Sequence, residues 1–385
     1  MQFFRPELQP IIADLKKKPN LAISVLGSAV MTRNAVKLSG WCLRHGQTCR
    51  LQMAKKHRAG KTCTTWSATG QAQGRPTTCD VTVLHLLAWI ALRLSLQEPI
   101  ICQENVTRFN AQVLTDFLGQ HYFVEWACED VHDYGWSVHR ERKWTMLRHR
   151  VKCMHLISPL SNFVKRFRRV CNYEFNAVCL AGADELRAEL KRLASRPNSV
   201  ARTKNLELNL STPDAWELAL TELEFDNLQL YKQCCPNGAY SLNQSFDAGS
   251  KWMSLRSLHA IVKNVGVLWN QSLPTPRPFM PTELMLGQSF PVHSMADANE
   301  LFCSFQLDRP AWMPPRNPVH VIGQIGNAMN VHVAAVLSIW MDIGVRRQYI
   351  PQIGRMLKLR RSLSNSNEDV TLASGEGAAV NHFSE

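Results

Sequence analysis

The sequence predicts an α/β protein built around a parallel or mixed sheet. From Lys61 onward, helix-like and strand-like segments alternate along the chain, the order that produces such sheets. The chain has 385 residues, of which 45% are hydrophobic and 19% charged, so it can bury a sizeable core in one large or two ordinary domains. A carboxylate, Glu104, comes where the apolar run 99–103 ends, and ligands of open α/β sheets bind at the carboxyl ends of strands.

The first half of the chain is the more legible. Residues 1 to about 60 contain one strand-like run, Leu21–Gly27, and the basic, polar stretch that follows it shows no clear period. From there the patterns predict a polar loop, a helix, a strand, a helix and two further strands: Lys61–Cys79, Val81–Leu96, Ile100–Val106, Asn110–Leu118, Tyr122–Ala127 and Ser137–Met146.

Beyond about residue 155 the pattern is less regular. It predicts two helices, a short element and a final apolar helix: Asp184–Ala194, Pro213–Tyr231, Thr282–Gln288 and Met329–Ile343. Thr212 is the expected N-cap of the second helix, with Pro213 at its first position. The tail from about Ser362, rich in Ser, Asn, Glu and Gly, is predicted to be disordered.

The chain is basic, with a formal net charge of +13 and a pI near 9.3, which favours a polyanionic partner. Ten Lys or Arg residues and one acid lie between Arg140 and Arg169. Six more basic residues, and no acid, lie between Asp342 and Glu368. A solvated face explains either run alone, but two runs flanking the candidate site favour contact with phosphates.

Twelve cysteines raise the question of disulfides or zinc, but their spacing supports neither, because no Cys-x-x-Cys pair occurs. The N-terminal residues lack the apolar core of a secretory signal. We therefore expect reduced thiols, no bound metal and an intracellular, reducing compartment. The longest apolar segment, Val81–Leu96, is too short to span a bilayer, so no membrane association is expected.

Two arginines follow each other at strand spacing. Alternation along Ser137–Met146 puts Arg140 and Arg142 on the same face as Val138, Trp144 and Met146, which is the apolar, inward face. A buried guanidinium is costly unless it is paired or hydrogen-bonded. The pair therefore predicts either a buried ion pair or a fork of donors aimed at a bound substrate.

Cys63 lies in a polar, glycine-bearing loop, where its thiol is not expected to be packed in a core. An exposed, electropositive setting lowers the pKa of a thiol and makes it nucleophilic. Glu104 alone is as consistent with a strand-end ion pair as with catalysis. Thiol, carboxyl and two guanidiniums in this order suggest a nucleophile, a proton donor and an anchor for a polar, planar substrate.

In these residues the chain resembles the cytosine-5 DNA methyltransferases, whose motifs appear here in the family's order. Thr62–Ser67 resembles the nucleophile loop of the family, Glu104–Val106 matches its Glu-Asn-Val motif, and Gly135–Arg142 resembles its arginine motif. Arg277–Glu283 with Gln288–Pro291 resembles the segment before the last motif, and Gln324–Ala328 matches that last motif, Gly-Asn-Ala. The resemblance covers roughly residues 61–343, and five ordered matches are far more specific than any one of them.

The resemblance implies a Rossmann-like, class I methyltransferase fold with an inserted, smaller target-recognition domain. It implies transfer of a methyl group from S-adenosylmethionine to carbon 5 of a cytosine flipped out of duplex DNA. Cys63 would add to carbon 6 of the ring, and protonated Glu104 would neutralise the charge at ring nitrogen 3. Arg142 would hold the carbonyl oxygen of the base, and Arg140 would order Cys63 and Glu104. Gly326, Asn327 and Ala328 would contact the cofactor, as the Gly-Asn-Ala motif does in the family.

The same resemblance divides the chain into five parts. Residues 1–60 are expected to form a divergent or truncated part of the cofactor subdomain, and residues 61–154 the catalytic core. The target-recognition domain would span 155–275, residues 276–345 would return to the core, and 346–385 would form a basic and then disordered tail. The expected location, from substrate and charge, is the nucleus.

Some features depart from the family pattern. Thr62 replaces the proline before the nucleophile, Ser137 and Val138 replace Pro and Gln before the arginines, and the Phe-x-Gly-x-Gly cofactor loop is not found near the N-terminus. Two alternatives stay open: a tRNA cytosine-5 methyltransferase, whose usual Cys-Phe-Thr segment is absent, and a catalytically inactive nucleic-acid-binding relative. The second predicts salt-sensitive binding without a covalent adduct.

Overall fold

A computed structural model of the chain describes residues 4–13, 25–30, 35–60, 82–155, 159–206, 212, 214–244, 253–261, 266–290, 325, 328–343 and 345–347. Several predicted features lie outside these described residues. They are Cys63 and the loop around it, Pro213, the cofactor residues Gly326 and Asn327, and the tail beyond residue 347.

The described strands are short, apart from the three that follow residue 99. Numbered β1 to β12 in chain order, they are Ser39–Cys42, Gln47–Arg50, Lys56–Gly60, Ile100–Asn105, Tyr122–Glu129, Arg142–His149, Cys153–His155, Ala239–Ser241, Met253–Ser254, Leu268–Asn270, Arg277–Pro278 and Val345–Arg347.

The described helices are concentrated after residue 80. Numbered α1 to α10, they are Gln9–Ala13, Thr82–Leu96, Gln112–Leu118, Leu160–Lys165, Ala183–Ala194, Val200–Thr203, Ala215–Leu218, Glu222–Cys234, Pro281–Gly287 and Val331–Ile343. Residues 25–30 are also helical. No helix among the residues described is both long and apolar enough to cross a membrane.

A mixed four-stranded sheet forms the centre of the first half, in the order β3-β4-β6-β5. The pair β3 and β4 is parallel, whereas β6 runs antiparallel to both β4 and β5. Because parallel strands need a long crossover between them, the chain leaves the sheet after β3 and returns through α2. A mixed sheet covered by helices fits the α/β, Rossmann-like methyltransferase fold that the motifs predict.

Apolar side chains cover both faces of this sheet. On one face, α2 and α3 pack with the N-terminal residues against Ile101 and Leu147. On the other face, α4 and α10 pack against Cys102, Trp144 and Met146. The helix α10 thus returns to the sheet after almost the whole chain has intervened, and it buries the face that carries Glu104, the register partner of Trp144.

A second, smaller sheet occupies the middle of the chain, in the order β11-β10-β8-β9. Its apolar residues join those of α5, α7 and α8 in one cluster centred on Trp269 and Tyr231. A further cluster brings Val138, just before β6, into contact with residues of α9 and with Ile325. The segment that leads into β6 therefore lies between the large sheet and this second region.

Three sequence predictions are wrong in detail. The strand predicted at Leu21–Gly27 is helical from residue 25 onward. The helix predicted at Pro213–Tyr231 is divided in two, and the second helix starts at a capping box in which Thr221 and Glu224 hydrogen-bond reciprocally. The last strand of the sheet begins at Arg142 rather than at Ser137, because residue 138 bridges instead to Leu258.

One strand of the main sheet was not predicted at all. β3, Lys56–Gly60, falls in the stretch that shows no clear period, because its residues are mostly polar or basic. It is nevertheless the parallel partner of β4, with five residues in register. The sheet edge that carries the site therefore depends on a segment with no readable strand pattern.

Candidate active site

The carboxyl ends of β3 and β4 meet at one edge of the sheet. Gly60, the last residue of β3, is the register partner of Glu104. A Cβ added at Gly60 would lie 3.5 Å from Glu104 Oε2 and 3.2 Å from Met329 Cε. The absence of a side chain at residue 60 thus lets Met329 and the Glu104 carboxylate approach the backbone of β3 closely.

Glu104 is buried, with 7% of its surface exposed. Its Oε1 lies 3.0 Å from Arg142 Nε, which forms an ion pair at the sheet edge. Burial raises the pKa of the Glu104 carboxyl, and the charges of Arg142 and Arg140 only partly oppose this effect. The group is therefore able to keep a proton at a pH where an ordinary glutamate has lost it.

Arg142 is the first residue of β6 and is half-buried. Besides the ion pair with Glu104, its Nη1 donates a hydrogen bond to the carbonyl of Glu141 at 2.8 Å. Because Trp144 is the register partner of Glu104, alternation along β6 puts Arg142 on the same face as the carboxylate. The predicted face of the strand is confirmed from residue 142 onward.

Arg140 lies before β6 and is almost fully buried. Its Nη1 donates to the carbonyl of Ile261 at 2.7 Å, and its Nη2 donates to the carbonyl of Ala328 at 2.9 Å. It thereby joins three segments that are far apart in sequence. Its predicted role in ordering Cys63 involves a residue outside the described part of the chain.

Of the three predicted cofactor residues, Gly326, Asn327 and Ala328, the structure describes Ala328. Its carbonyl is the acceptor for Arg140 Nη2, and the next residue, Met329, packs against Gly60 and the cluster around Trp144. The end of this motif thus lies at the same sheet edge as Glu104. The structure brings together Glu104, Arg140, Arg142 and Ala328.

Sequence reasoning missed Asp130, which supports the arginine segment. Its Oδ1 accepts hydrogen bonds from the backbone N–H groups of Arg140 and His132, and its Oδ2 lies 2.9 Å from His139 Nδ1. Burial opposes ionisation, but the hydrogen bonds from His139 and from the backbone lower the pKa of the Asp130 carboxyl overall. Asp130 follows β5 as Glu104 ends β4, so the same strand-end signal marks it.

The basic run 140–169 is mostly engaged within the protein. Arg148 pairs with Glu125, and Arg168 pairs with Glu129 and Asp133. Four others contact a carboxylate or a backbone carbonyl: Arg142, Lys143, Arg150 and Lys152. Lys165, Arg166 and Arg169 are exposed, so the outward positive charge of this run comes mainly from its last few residues.

Comparison with known proteins gives a limited likeness. No family of known proteins matches this chain, and neither does any curated protein. Among solved structures, the methyltransferase EhMeth of Entamoeba histolytica is 11% identical, with a TM-score of 0.39 over 75% of this chain and 78% of that one. The Dnmt2 methyltransferase of S. pombe is also 11% identical, with a TM-score of 0.38 over 75% and 77%.

A triple mutant of DNMT2 from Spodoptera frugiperda is 14% identical, with a TM-score of 0.36 over 75% of this chain and 80% of that one. Identities and TM-scores this low support no conclusion about the activity of this chain. Its function has to be inferred from the residues at the sheet edge.

Proposed function

We propose that this protein is a DNA (cytosine-5) methyltransferase, which acts on a cytosine flipped out of the duplex through a covalent adduct with Cys63. One observation carries the proposal. A buried carboxyl group of raised pKa, Glu104, lies at the end of a central strand with Arg142 at 3.0 Å and no side chain at Gly60. This combination provides an acid and a guanidinium donor side by side at a strand end, with the backbone of Gly60 next to the carboxyl.

The position of Cys63 in the sequence supports its role as nucleophile. It follows Gly60 by three residues, and three residues of extended chain span at most about 11 Å. Because Gly60 pairs with Glu104, the proposal requires the thiol to lie within this distance of a pyrimidine held beside the carboxyl. Its sulfur would attack carbon 6, and the electron pair of the 5,6 double bond would move toward carbon 5 and the ring nitrogen.

Glu104 would give its proton to ring nitrogen 3 as this charge develops. Proton donation requires a protonated carboxyl, and burial raises the pKa of Glu104, which favours the protonated form. Attack at carbon 6 then leaves carbon 5 as the nucleophilic end of an enamine. After methylation, loss of the proton on carbon 5, departure of the Cys63 sulfur as a thiolate and return of the nitrogen-3 proton to Glu104 would restore the aromatic ring and the starting state of the enzyme.

The two arginines would have different tasks. Arg142 is half-buried and borders Glu104, so its guanidinium can donate to the carbonyl oxygen of the base. Arg140 is committed to two backbone carbonyls, which makes it a positioning residue. It also adds positive charge near Glu104, and this charge limits how far burial raises the pKa of the carboxyl.

S-adenosylmethionine is the proposed cofactor and would supply the methyl group. Ala328, at the end of the motif predicted to contact it, lies at the sheet edge through its hydrogen bond from Arg140. Gly326 and Asn327, outside the described residues, would complete the contact.

Duplex DNA is the proposed substrate, and the nucleus the proposed location. The net charge of +13 favours a polyanion, and the region between β7 and β11 is large enough to hold a target-recognition module. Exposed Lys165, Arg166 and Arg169 would supply phosphate contacts next to the site.

The test is covalent trapping. Purified full-length protein is incubated with labelled S-adenosylmethionine and a duplex containing 5-fluorocytosine, whose fluorine blocks the final elimination. We expect a protein–DNA adduct that survives denaturation and that disappears in Cys63→Ala. Cys128→Ala, at an exposed cysteine elsewhere on the sheet, is the matched control and should retain the adduct.

Competition separates the substrates. If excess tRNA removes the adduct at concentrations where unlabelled duplex DNA does not, the protein is a tRNA methyltransferase instead. If the protein binds DNA with a steep salt dependence but forms no adduct with either substrate, it is an inactive relative and the enzymatic proposal is wrong.

A further inference from the structure

The hairpin formed by β1 and β2 has almost no hydrophobic support. Among the strands that the structure describes, these two pair only with each other, and neither has a buried residue. Trp41 and Leu43 are 66% and 93% exposed. Because an isolated two-stranded hairpin is at best marginally stable in water, something besides apolar burial has to hold this one.

Two cysteines and a histidine converge at the end of this hairpin. Cys42 ends β1, Cys49 lies in β2, and His45 is in the turn between them. The distance from His45 Nδ1 to Cys42 Sγ is 3.6 Å and to Cys49 Sγ 3.2 Å, and all three ligand atoms lie within 4.8 Å of one another. The two cysteines are the least exposed residues of their strands.

We propose that Cys42, His45 and Cys49 form a zinc-binding site that clamps this hairpin. The donor set, two thiolates and an imidazole, is the one that zinc prefers in proteins. With ordinary zinc–sulfur and zinc–nitrogen bond lengths, a tetrahedral ion holds neighbouring sulfur and nitrogen ligands about 3.6 Å apart. The observed separations of 3.6 and 3.2 Å match that spacing with little movement.

The surroundings also suit a metal. Two thiolates balance the charge of Zn²⁺. The three ligands line an open groove of about 1610 Å³, so an ion has a path to the site. Water would occupy the fourth position, as it does in three-ligand zinc sites.

The spacing of these residues, Cys-x-x-His-x-x-x-Cys, is not one that sequence analysis reads as a zinc motif. The conformation of the turn explains how residues at this spacing come together. Gly46 has a φ of +61°, a conformation that glycine adopts readily, and it closes the four-residue turn so that His45 projects between the two sulfurs.

The experiment measures metal binding by the full-length protein. The chain is purified under reducing conditions, stripped with a chelator and titrated with Co²⁺ as a spectroscopic probe, then with Zn²⁺. We expect one equivalent of metal with sulfur-to-cobalt charge-transfer absorption and four-coordinate visible bands, displaced by zinc. Amide hydrogen exchange should slow at Ser39–Arg50 when zinc is bound, while the rest of the chain is unchanged.

Substitution of the cysteines shows which of them bind the metal. Cys42→Ser and Cys49→Ser should each weaken zinc binding at least about tenfold, whereas Cys128→Ser and Cys234→Ser, at exposed cysteines elsewhere, should not. The proposal is overturned if the wild-type chain gives no four-coordinate cobalt spectrum, or if the control variants lose as much affinity as the site variants. A mass lower by two hydrogens, assigned to a Cys42–Cys49 disulfide under the same reducing conditions, would also overturn it.

Discussion

Gly60 and Glu104 are register partners in the parallel pair of strands, and a Cβ at residue 60 would come within 3.5 Å of the Glu104 carboxylate. This glycine therefore does not serve a turn; it is needed for close packing inside the sheet. It lets the Met329 side chain and the Glu104 carboxylate lie close to the backbone of β3, at the edge where ligands of α/β sheets bind.

Enlarging residue 60 should reduce methyl transfer in steps. The methyl of Gly60→Ala would meet Met329 Cε at 3.2 Å, and that flexible side chain can shift, so a modest loss is expected. Gly60→Val crowds the carboxyl itself, and a misplacement of about 1 Å can cost on the order of a hundredfold in rate. Gly40→Val is the control, because a Cβ there meets nothing within 4 Å. Equal rates for Gly60→Val and wild type in the labelled-methyl assay would contradict the assignment.

Glu104→Gln keeps the shape of the side chain but removes its acidic proton. If this proton neutralises the ring during attack by Cys63, methyl transfer should fall about 10²–10⁴-fold. Glu125→Gln breaks an ion pair of the same geometry, 3.0 Å to Arg148 Nε, away from the site. We expect that control to retain wild-type transfer, and a comparable fall in both variants would show only that the sheet had been damaged.

The pH dependence of stability should report the same carboxyl. Burial raises the pKa of Glu104 above its ordinary 4.5, so the folded chain holds this proton more tightly than the unfolded chain. The contribution to stability is therefore fully present below pH 4.5 and is lost as the pH rises through the folded pKa. Urea unfolding across this range should show the wild type losing stability relative to Glu104→Gln. Parallel curves would mean that the pKa is not raised.

Arg140 should matter more for stability than Arg142. Arg140→Met leaves the carbonyls of Ile261 and Ala328 without that donor, at roughly 1–3 kcal/mol for each. Arg142→Met removes the partner of Glu104, which can respond by keeping its proton, so a smaller loss is expected. The free energies of unfolding from urea titrations test this order, and a larger loss in Arg142→Met would reverse the two roles.

Breaking the buried ion pair of Arg277 and Glu283 should lower the free energy of unfolding more than breaking the exposed ion pair of Asp184 and Arg187. Two parallel contacts of 2.9 and 2.8 Å join them, and Glu283 is 0% exposed. Glu283→Ala leaves a buried guanidinium unpaired, so we expect a loss of about 3–5 kcal/mol in the free energy of unfolding. Asp184→Asn, in an exposed pair with Arg187, should change it by less than about 0.5 kcal/mol. A similar small change in both variants would contradict this reasoning.

The sequence predicted best where a local pattern coincides with burial. The strand predicted at Ile100–Val106 and the helix at Val81–Leu96 match β4 and α2 to within one residue, because each contains several consecutive apolar residues that become buried. The strand predicted at Ser137–Met146 was correct only for its second half. From Arg142 its alternation is that of a strand, but before it the chain is held by Asp130 and by residue 258, contacts that no local pattern encodes.

Two features of the structure could not be predicted from the sequence: strand β3 and the proposed zinc site. Strand β3 has mostly polar residues, and its place in the sheet depends on pairing with β4, so its alternation gives no signal. The zinc ligands have an unfamiliar spacing that becomes meaningful only when Cys42 and Cys49 are brought together across a hairpin. In both cases the information lies in pairing between segments.

The hydrogen bond from Arg140 to the carbonyl of Ala328 joins residues 188 positions apart. While the chain is still being synthesised, the strands up to residue 149 can pair and bring Glu104 beside Arg142. The Ala328 carbonyl is synthesised long after these strands, and contacts between residues so far apart in sequence form late. A copy cut short before residue 328 would therefore lack the acceptor for Arg140 and also α10, which covers the face of the sheet that carries Glu104.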